Sequence, residues 1–345
     1  MAPLLEVRDV SKVYGGGLLH RHPTAALENF SFAIADEPPT ITAVVGESGS
    51  GKTTLAQLLL GIVTPTEGRV LYKGKDLHAL SSDDRRAFRR DIQVIFQDPF
   101  EAYNPFYRVD HVLQAPVANF GLATSKDEAR RLIEQTLLAV GLRPEETLGR
   151  YPHQLSGGQR QRVMVARSLL IRPRLIIADE PVSMVDASLR ATILGSLRQL
   201  HDEFGISLIY ITHDLTTAYQ ISQNVIVLYR GAVAEAGNAE RVVQQPKHPY
   251  TRLLIGSIPL PDPEHPWQVE GTAAVASEIA AGRNGGCRFA PRCPEAMAIC
   301  RQTEPPLFRV DADRATSCYL YRDAGVLRGD ELGSVMADGE AVSPA

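Results

Sequence analysis

Cysteine is nearly missing from this sequence: there are four in 345 residues, and none before Cys287. A body stapled by disulfides is thereby excluded, and the cysteines that exist ask for a local explanation. Long apolar runs are missing too. Stretches such as Leu58–Val63 and Val225–Tyr229 fall far short of the roughly 20 residues a membrane-crossing helix needs. No basic segment followed by an apolar one opens the chain, so no secretory leader is expected. Charge of neither sign dominates. The 36 Lys and Arg against 40 Asp and Glu leave a net charge of −4, which gives no general attraction to nucleic acid or acidic lipid. What remains is the composition of a globular chain, long enough for one large or two ordinary domains and expected in the cytosol.

Glycine, by contrast, is gathered where chemistry needs it. Gly46-Glu47-Ser48-Gly49-Ser50-Gly51-Lys52-Thr53 follows a short apolar stretch, Ile41–Val45, and precedes a helical pattern carrying Leu55, Leu58, Leu59 and Ile62 on its inner face. Phosphate needs many donors that do not crowd one another. Gly46, Gly49 and Gly51 let backbone N–H groups curl around a β-phosphate at a helix N-terminus, whose dipole favours the anion. Lys52 adds a point charge for β- and γ-oxygens, the Thr53 hydroxyl can ligate Mg²⁺, and Glu47, Ser48, Ser50 and Thr54 complete the cradle. A Gly/Ser-rich turn would match by composition alone, but the strand before and the amphipathic helix after argue against it.

Further along, Leu175–Ala178 delivers Asp179 and Glu180 to a strand end. Asp179 would hold Mg²⁺, and Glu180 would orient or deprotonate the attacking water. His213 follows the apolar Leu208–Ile211 and could reach a γ-phosphate opposite Lys52, although a lone histidine is as often structural. Gln97, in Phe96-Gln97-Asp98-Pro99, could touch both Mg²⁺ and the water. Tyr14 could stack on adenine, or be a core tyrosine on a strand.

Around these motifs the chain alternates strands and helices. Residues 4–14 and 25–34 alternate apolar and polar side chains as antiparallel strands do, and Gly68–Tyr72 and Ile92–Phe96 read as strands flanking a charged helix. From about Asn104 to Gly141 the pattern is helical, within an inserted subdomain of about 98–165. Strands return at Leu175–Ala178, Ile206–Thr212 and Val225–Tyr229, with a helix over Ser188–Phe204. The result is an α/β core with its ligand crevice at the C-terminal strand ends. Past about Gln245, prolines punctuate a segment that cannot continue a parallel sheet. The expected organisation is therefore a domain over 1–245, an extension over 246–322, and a disordered acidic tail over 323–345.

Leu155-Ser156-Gly157-Gly158-Gln159, together with these motifs, makes residues 4–245 resemble an ABC-type ATPase. The resemblance implies a P-loop ABC core, a mixed sheet with an antiparallel β subdomain and an inserted α-helical subdomain. It also implies that Ser156, Gly157, Gly158 and Gln159 cap ATP bound to a partner's phosphate loop in a head-to-tail dimer. Ser156 and two glycines opening a helix offer a hydroxyl, free N–H groups and a positive dipole end, which suits that role. Asp186, in Ser183-Met184-Val185-Asp186, matches the family's loop along the dimer interface and is also placed to cap the next helix.

A narrower resemblance concerns the extension. Lys247-His248-Pro249-Tyr250-Thr251 and the run through Cys287, Cys293, Cys300 and Cys318 are similar to the C-terminal region of ATPases from oligopeptide/dipeptide-type importers. Gln97-Asp98-Pro99 to Asn104-Pro105 looks like that group too, with Tyr103 where leucine is more usual. Four thiolates at this spacing could hold zinc, an iron–sulfur cluster or nothing; the resemblance favours a structural 4Fe–4S cluster. It further implies a second ATPase subunit, a paralogue rather than a copy, two membrane permeases and an extracytoplasmic solute-binding protein, with no nucleic acid. The location implied is peripheral, on the cytoplasmic face of the membrane. Substrates of such importers include peptides, nickel chelates, glutathione and oligosaccharides, and import rather than export rests on the resemblance. Two other readings compete: a soluble ABC ATPase of repair or translation, and an ATP-switched metal-binding regulator. The first lacks its usual marks here, since neither a long coiled coil nor a second phosphate loop is present.

Overall fold

The computed structural model describes residues 2–15, 23–97, 103–183, 185–258 and 285–336. They group into two compact units. One comprises Met1–Ile34, Ala43–Gly74 and His213–Ala345, the other Ala35–Thr42 and Lys75–Thr212.

In the first unit, the alternation read at the N-terminus produces an antiparallel pair, β1 (Leu5–Tyr14) and β2 (Thr24–Ile34), in register at Leu5 opposite Ile34 and Val7 opposite Phe32. β4 (Glu67–Tyr72) pairs with the other edge of β1. Leu5, Val7, Val10, Phe30 and Phe32 are buried on one side, as a half-buried sheet requires. A second sheet is built on β3 (Ile41–Val45) and β9 (Asn224–Tyr229), both buried at every residue, which is why they read as continuous apolar runs. From β3 the order is β9, β10 (Ala232–Asn238), β12 (Arg314–Thr316), β11 (Leu307–Asp311) and β13 (Gly325–Leu327). From β9 outward the pairings are antiparallel. The helix α1 (Lys52–Leu59) leaves the glycine-rich loop and stops sooner than its apolar spacing predicts. Gly61 takes a left-handed φ of 66° just beyond its end, and Ile62, expected on the inner face, is 59% exposed.

Within the first unit, the extension adds two antiparallel strands, β12 and β11, to the sheet edge at β10, with Glu235 opposite Thr316. Part of the stretch after 323, expected to be a disordered tail, carries regular structure. β13 pairs with β11, and a 3₁₀ helix over Gly329–Val335 buries Leu332 and Val335. Residues 337–345 lie outside the described residues.

The second unit opens with the short β5 (Lys75–Asp76) and the charged α2 (Ser82–Asp91). Ser81 caps α2, with Asp83 and Asp84 in its first turn and Arg89 and Arg90 in its last, complementing the helix dipole at both ends. Three parallel strands follow in space, β6 (Ile92–Ile95), β7 (Leu175–Asp179) and β8 (Ser207–Thr212), paired at Ile92 with Leu175 and Leu175 with Ser207. Between β6 and β7 lie α3 (Val109–Phe120), α4 (Lys126–Ala139), the one-turn α5 (Pro144–Thr147) and α6 (Gly157–Leu170), in the region read as helical. α7 (Ala187–Phe204) ends at a left-handed Gly205.

Candidate nucleotide site

The first unit carries the phosphate loop. β3 is buried at every residue, and the chain then turns through residues that must lack Cβ. Gly51 sits at φ 107°, and a Cβ there would lie 2.3 Å from the Ala26 carbonyl oxygen; at Gly46 it would lie 2.2 Å from that of Leu228. The loop is also tied to the turn between β9 and β10: the Gly231 N–H donates to the Ser50 carbonyl (2.8 Å). Lys52 is buried, and its Nζ donates to the carbonyls of Gly46 (2.7 Å) and Glu47 (3.0 Å), curling the loop over the start of α1. The Ser50 hydroxyl is buried with no hydrogen-bond partner among the described residues. A buried ammonium and a buried hydroxyl at a helix N-terminus are donors suited to phosphate oxygens. Thr53 and Ser48 face solvent at its mouth, and Tyr14 is 41% exposed, so it is not a core tyrosine. His213 is exposed beside Asp214, whose carboxylate caps the helix α8 (Leu215–Ile221) by accepting the Thr216 N–H at 2.9 Å.

The second unit holds the other candidates. Asp179 ends β7 half-buried, and Glu180 next to it has a left-handed φ of 44°. A glutamate in that region is sterically costly and persists only where its surroundings hold it. Here the Glu180 N–H donates to the Ile211 carbonyl (2.8 Å), and its own carbonyl accepts from the Ser183 N–H (3.1 Å) and hydroxyl (2.9 Å). Gln97 is exposed just past β6, where the Phe96 carbonyl accepts from the Gln161 side chain of α6 (3.3 Å). Asp98 to Ala102 lie outside the described residues, as does Met184.

Ser156 and Gln159 form a reciprocal cap on α6: the Ser156 hydroxyl accepts from the Gln159 N–H (3.2 Å), and the Gln159 side chain accepts from the Ser156 N–H (2.9 Å). At Gly158 a Cβ would lie 2.8 Å from Leu189 Cδ1. Two details depart from expectation. Asp186 occupies the N-cap of α7 without its side chain closing a cap bond. Tyr103, in the place where leucine is usual, is buried and donates its hydroxyl to the Arg160 carbonyl (2.9 Å) at the start of α6. Burial pushes that phenol well above its ordinary range.

Residues 27–183 match the family described as ABC transporter, and residues 234–300 match the family described as oligopeptide/dipeptide transporter, C-terminal region. YkfD of Bacillus subtilis, named for oligopeptide transport, is 39% identical over 93% of this chain and 97% of its own. The oligopeptide transport ATP-binding protein OppF of Escherichia coli is 42% identical over 76% of this chain and 79% of its own. The chain belongs to the ABC transporter family. Among solved structures, a dimeric post-hydrolysis state of the ATP-binding cassette MJ0796, bound to ADP and Pi, superposes with a TM-score of 0.60 at 29% identity, covering 68% of this chain and 98% of that one. The ABC cassette fold and the ATP-hydrolysing activity of the family therefore apply, and the motif-by-motif resemblance of the sequence has its counterpart in the whole chain.

Sequence reasoning missed how the oligopeptide-type region of this ABC ATPase meets its phosphate loop within the first unit. Tyr250 follows Pro249 at the start of α9 (Pro249–Gly256), wholly buried, and its hydroxyl accepts from the Glu47 N–H (2.9 Å). Arg292 grips the Glu47 carboxylate with two parallel bonds (2.8 and 2.9 Å), which hold its guanidinium more basic than usual. Arg288 joins Glu28, Glu304 and the Arg230 carbonyl. The motifs containing Tyr250 and Arg292 were visible in the sequence, but nothing in them points across the chain.

The four cysteines are free thiols in this same region, Cys287 and Cys293 half-buried, Cys300 and Cys318 buried. Cys300 packs with Phe308 and Tyr319, and the Cys287 N–H donates to the Cys300 carbonyl (2.7 Å). Burial, and then the neighbouring thiols, push Cys318 up to about 11 and raise Cys287 and Cys293. Among the described residues no three His, Cys, Asp or Glu side chains are set to hold a single metal ion. That arrangement supports neither the 4Fe–4S nor the zinc expectation; what it shows is four thiols within electrostatic reach of one another.

Proposed function

We propose that this chain is one of two ATPase subunits of an importer for peptides or a related solute. The observation that carries this reading is the pairing of a complete phosphate cradle with an oligopeptide-type C-terminal region on one chain. In it, Gly46 to Thr54 bind the phosphates of the subunit's own ATP, with Tyr14 against adenine. Thr53, Gln97 and Asp179 would hold Mg²⁺, which neutralises charge developing on the phosphates. Glu180 orients the attacking water and accepts its proton, and His213 steadies the γ-phosphate. The fixed backbone at Glu180 supports this, because a base must be held in place before the water arrives. Ser156, Gly157, Gly158 and Gln159 cap the partner's ATP, and Asp186 lies along the pair's interface. Residues 1–245 form the nucleotide-binding part, with its helical subdomain at about 98–165, and 246–322 the extension.

Among the described residues no helix is long and apolar enough to cross a membrane. The oligopeptide-type region points to two permeases as partners, with this subunit peripheral on the cytoplasmic face and a solute-binding protein outside. Cys287, Cys293, Cys300 and Cys318 would be the ligands of a 4Fe–4S cluster, or alternatively of zinc, that pins the extension. Purification from the native membrane, without air, tests the whole reading. Recovery with two permeases, a second ATPase and a solute-binding protein, and with iron and acid-labile sulfide in the fraction, is expected. Recovery alone, or with ribosomes or DNA, would overturn the transport assignment.

A further inference from the structure

Every polar group of Glu47 is engaged, and the partners divide by origin. Its carbonyl faces the cradle, accepting from Lys52 Nζ (3.0 Å) and the Ser50 N–H (3.1 Å). Its N–H and both carboxylate oxygens go instead to the C-terminal extension, through Tyr250 (2.9 Å) and Arg292 (2.8 and 2.9 Å). Those two partners are themselves fixed. The Tyr250 ring is fully buried and packs on Tyr229 and Phe289, with centroids 4.5 and 5.5 Å away. The Arg292 guanidinium lies over the same two rings, at 5.9 and 5.7 Å. A planar fork meeting a carboxylate bidentately, and stacked on aromatic faces, defines one orientation and not merely one charge.

We propose that Tyr250 and Arg292 are positioning residues for the nucleotide: acting through Glu47, they hold the second residue of the phosphate loop so that Lys52 and the following N–H groups are set for phosphate before it binds. Neither residue touches ATP in this scheme. The extension thus helps set the affinity of the site, and does so through a clamp of 245 residues' sequence separation. A loop preorganised in this way costs less ordering when the ligand arrives, so loosening it weakens binding more than it slows chemistry.

The inference rests on the ATP-binding reading of the loop, and the test separates the two. Binding of a fluorescent ATP analogue and steady-state hydrolysis are measured on the full chain in its transporter complex. Wild type binding the analogue, with Lys52→Ala losing it, establishes the reading on its own. Arg292→Gln and Glu47→Gln are then each expected to weaken binding on the order of tenfold, the weight of one charge-assisted pair. They should raise KM for ATP with little change in kcat, and the double variant should be no worse than either single one. Arg292→Lys should rescue only partly, because it keeps the charge and loses the fork. Tyr250→Phe keeps the ring and removes the acceptor for the Glu47 N–H, and should weaken binding in the same direction. Unchanged affinity in Arg292→Gln or Tyr250→Phe, or additive losses in the double variant, would overturn the proposal while leaving the ATP site intact.

Discussion

His248 shows how one side chain's protonation is written into the fold. It is buried, and its Nδ1 accepts the Tyr250 N–H (3.0 Å) at the start of α9, a bond only the neutral ring can accept. Burial pushes it down to about 4. Around it, the Glu235 carboxylate takes the N–H groups of Lys247 (2.9 Å) and His248 (2.8 Å) and is itself raised by burial, while Arg252 adds a like charge. Below the unfolded value of about 6.5 the unfolded chain binds a proton that the folded one refuses, so stability falls as pH drops from there towards 4. The loss approaches about 1.4 kcal/mol per pH unit for one proton. Glu235 has the opposite sign, so the two must be separated. Urea midpoints of wild type and His248→Asn, compared from pH 7.5 to 4, should differ by a slope confined to that window. Parallel curves would show that His248 does not titrate as described. The sequence displayed His248 within a family motif but gave no hint of its burial, since hydropathy places histidine on either side of the surface.

At the scale of elements, what could be read was what local pattern determines. β3, β7, β8 and β9 are buried on both faces and stand out as apolar runs; β1 and β2 are half-buried and stand out by alternation. The phosphate loop, the signature and the Asp179–Glu180 pair were legible because each lies within a few consecutive residues at an element's end. β11, β12 and β13 were not. They are three to five residues long, lack alternation, and centre on Arg314, a wholly buried arginine bonded to Asp311 and to the carbonyls of Arg241 and Gln245. A charged residue in a core carries no hydropathy signal. The pairs Arg292–Glu47 and Arg288–Glu28 were invisible for a different reason, since contacts between distant segments leave no local period. The signature's cap makes an element-level prediction. Ser156→Ala removes the acceptor for the Gln159 N–H and should cost about 1 kcal/mol of stability, read as a lower urea midpoint. Because Ser156 is proposed to serve the partner's nucleotide, the variant should also lose hydrolysis while binding ATP at its own loop. Full hydrolysis with the stability loss alone would reduce Ser156 to a cap.

For the whole molecule, one chain carries one phosphate loop and one signature. If each signature serves the other subunit's loop, ATP joins two subunits, and hydrolysis removes the γ-phosphate contacts that join them. Association should then depend on nucleotide, and blocking hydrolysis should make it lasting. Glu180→Gln keeps the size and the left-handed backbone of Glu180 but removes the charge that accepts a proton. Its turnover is expected to fall by about 100-fold or more, with ATP binding preserved. With Mg–ATP, its sedimentation should shift from that of a 37.7 kDa chain to that of a pair, and return when ATP is removed. A pair formed by this chain alone would identify the working unit as two copies; a pair formed only on adding the second ATPase would identify it as mixed. Either is consistent with a shared site, because in both the loop of one subunit meets the signature of the other. Turnover unchanged in Glu180→Gln would remove Glu180 as the base. Association indifferent to ATP, or absent with both candidate partners, would break the link between nucleotide and assembly on which transport by this chain depends.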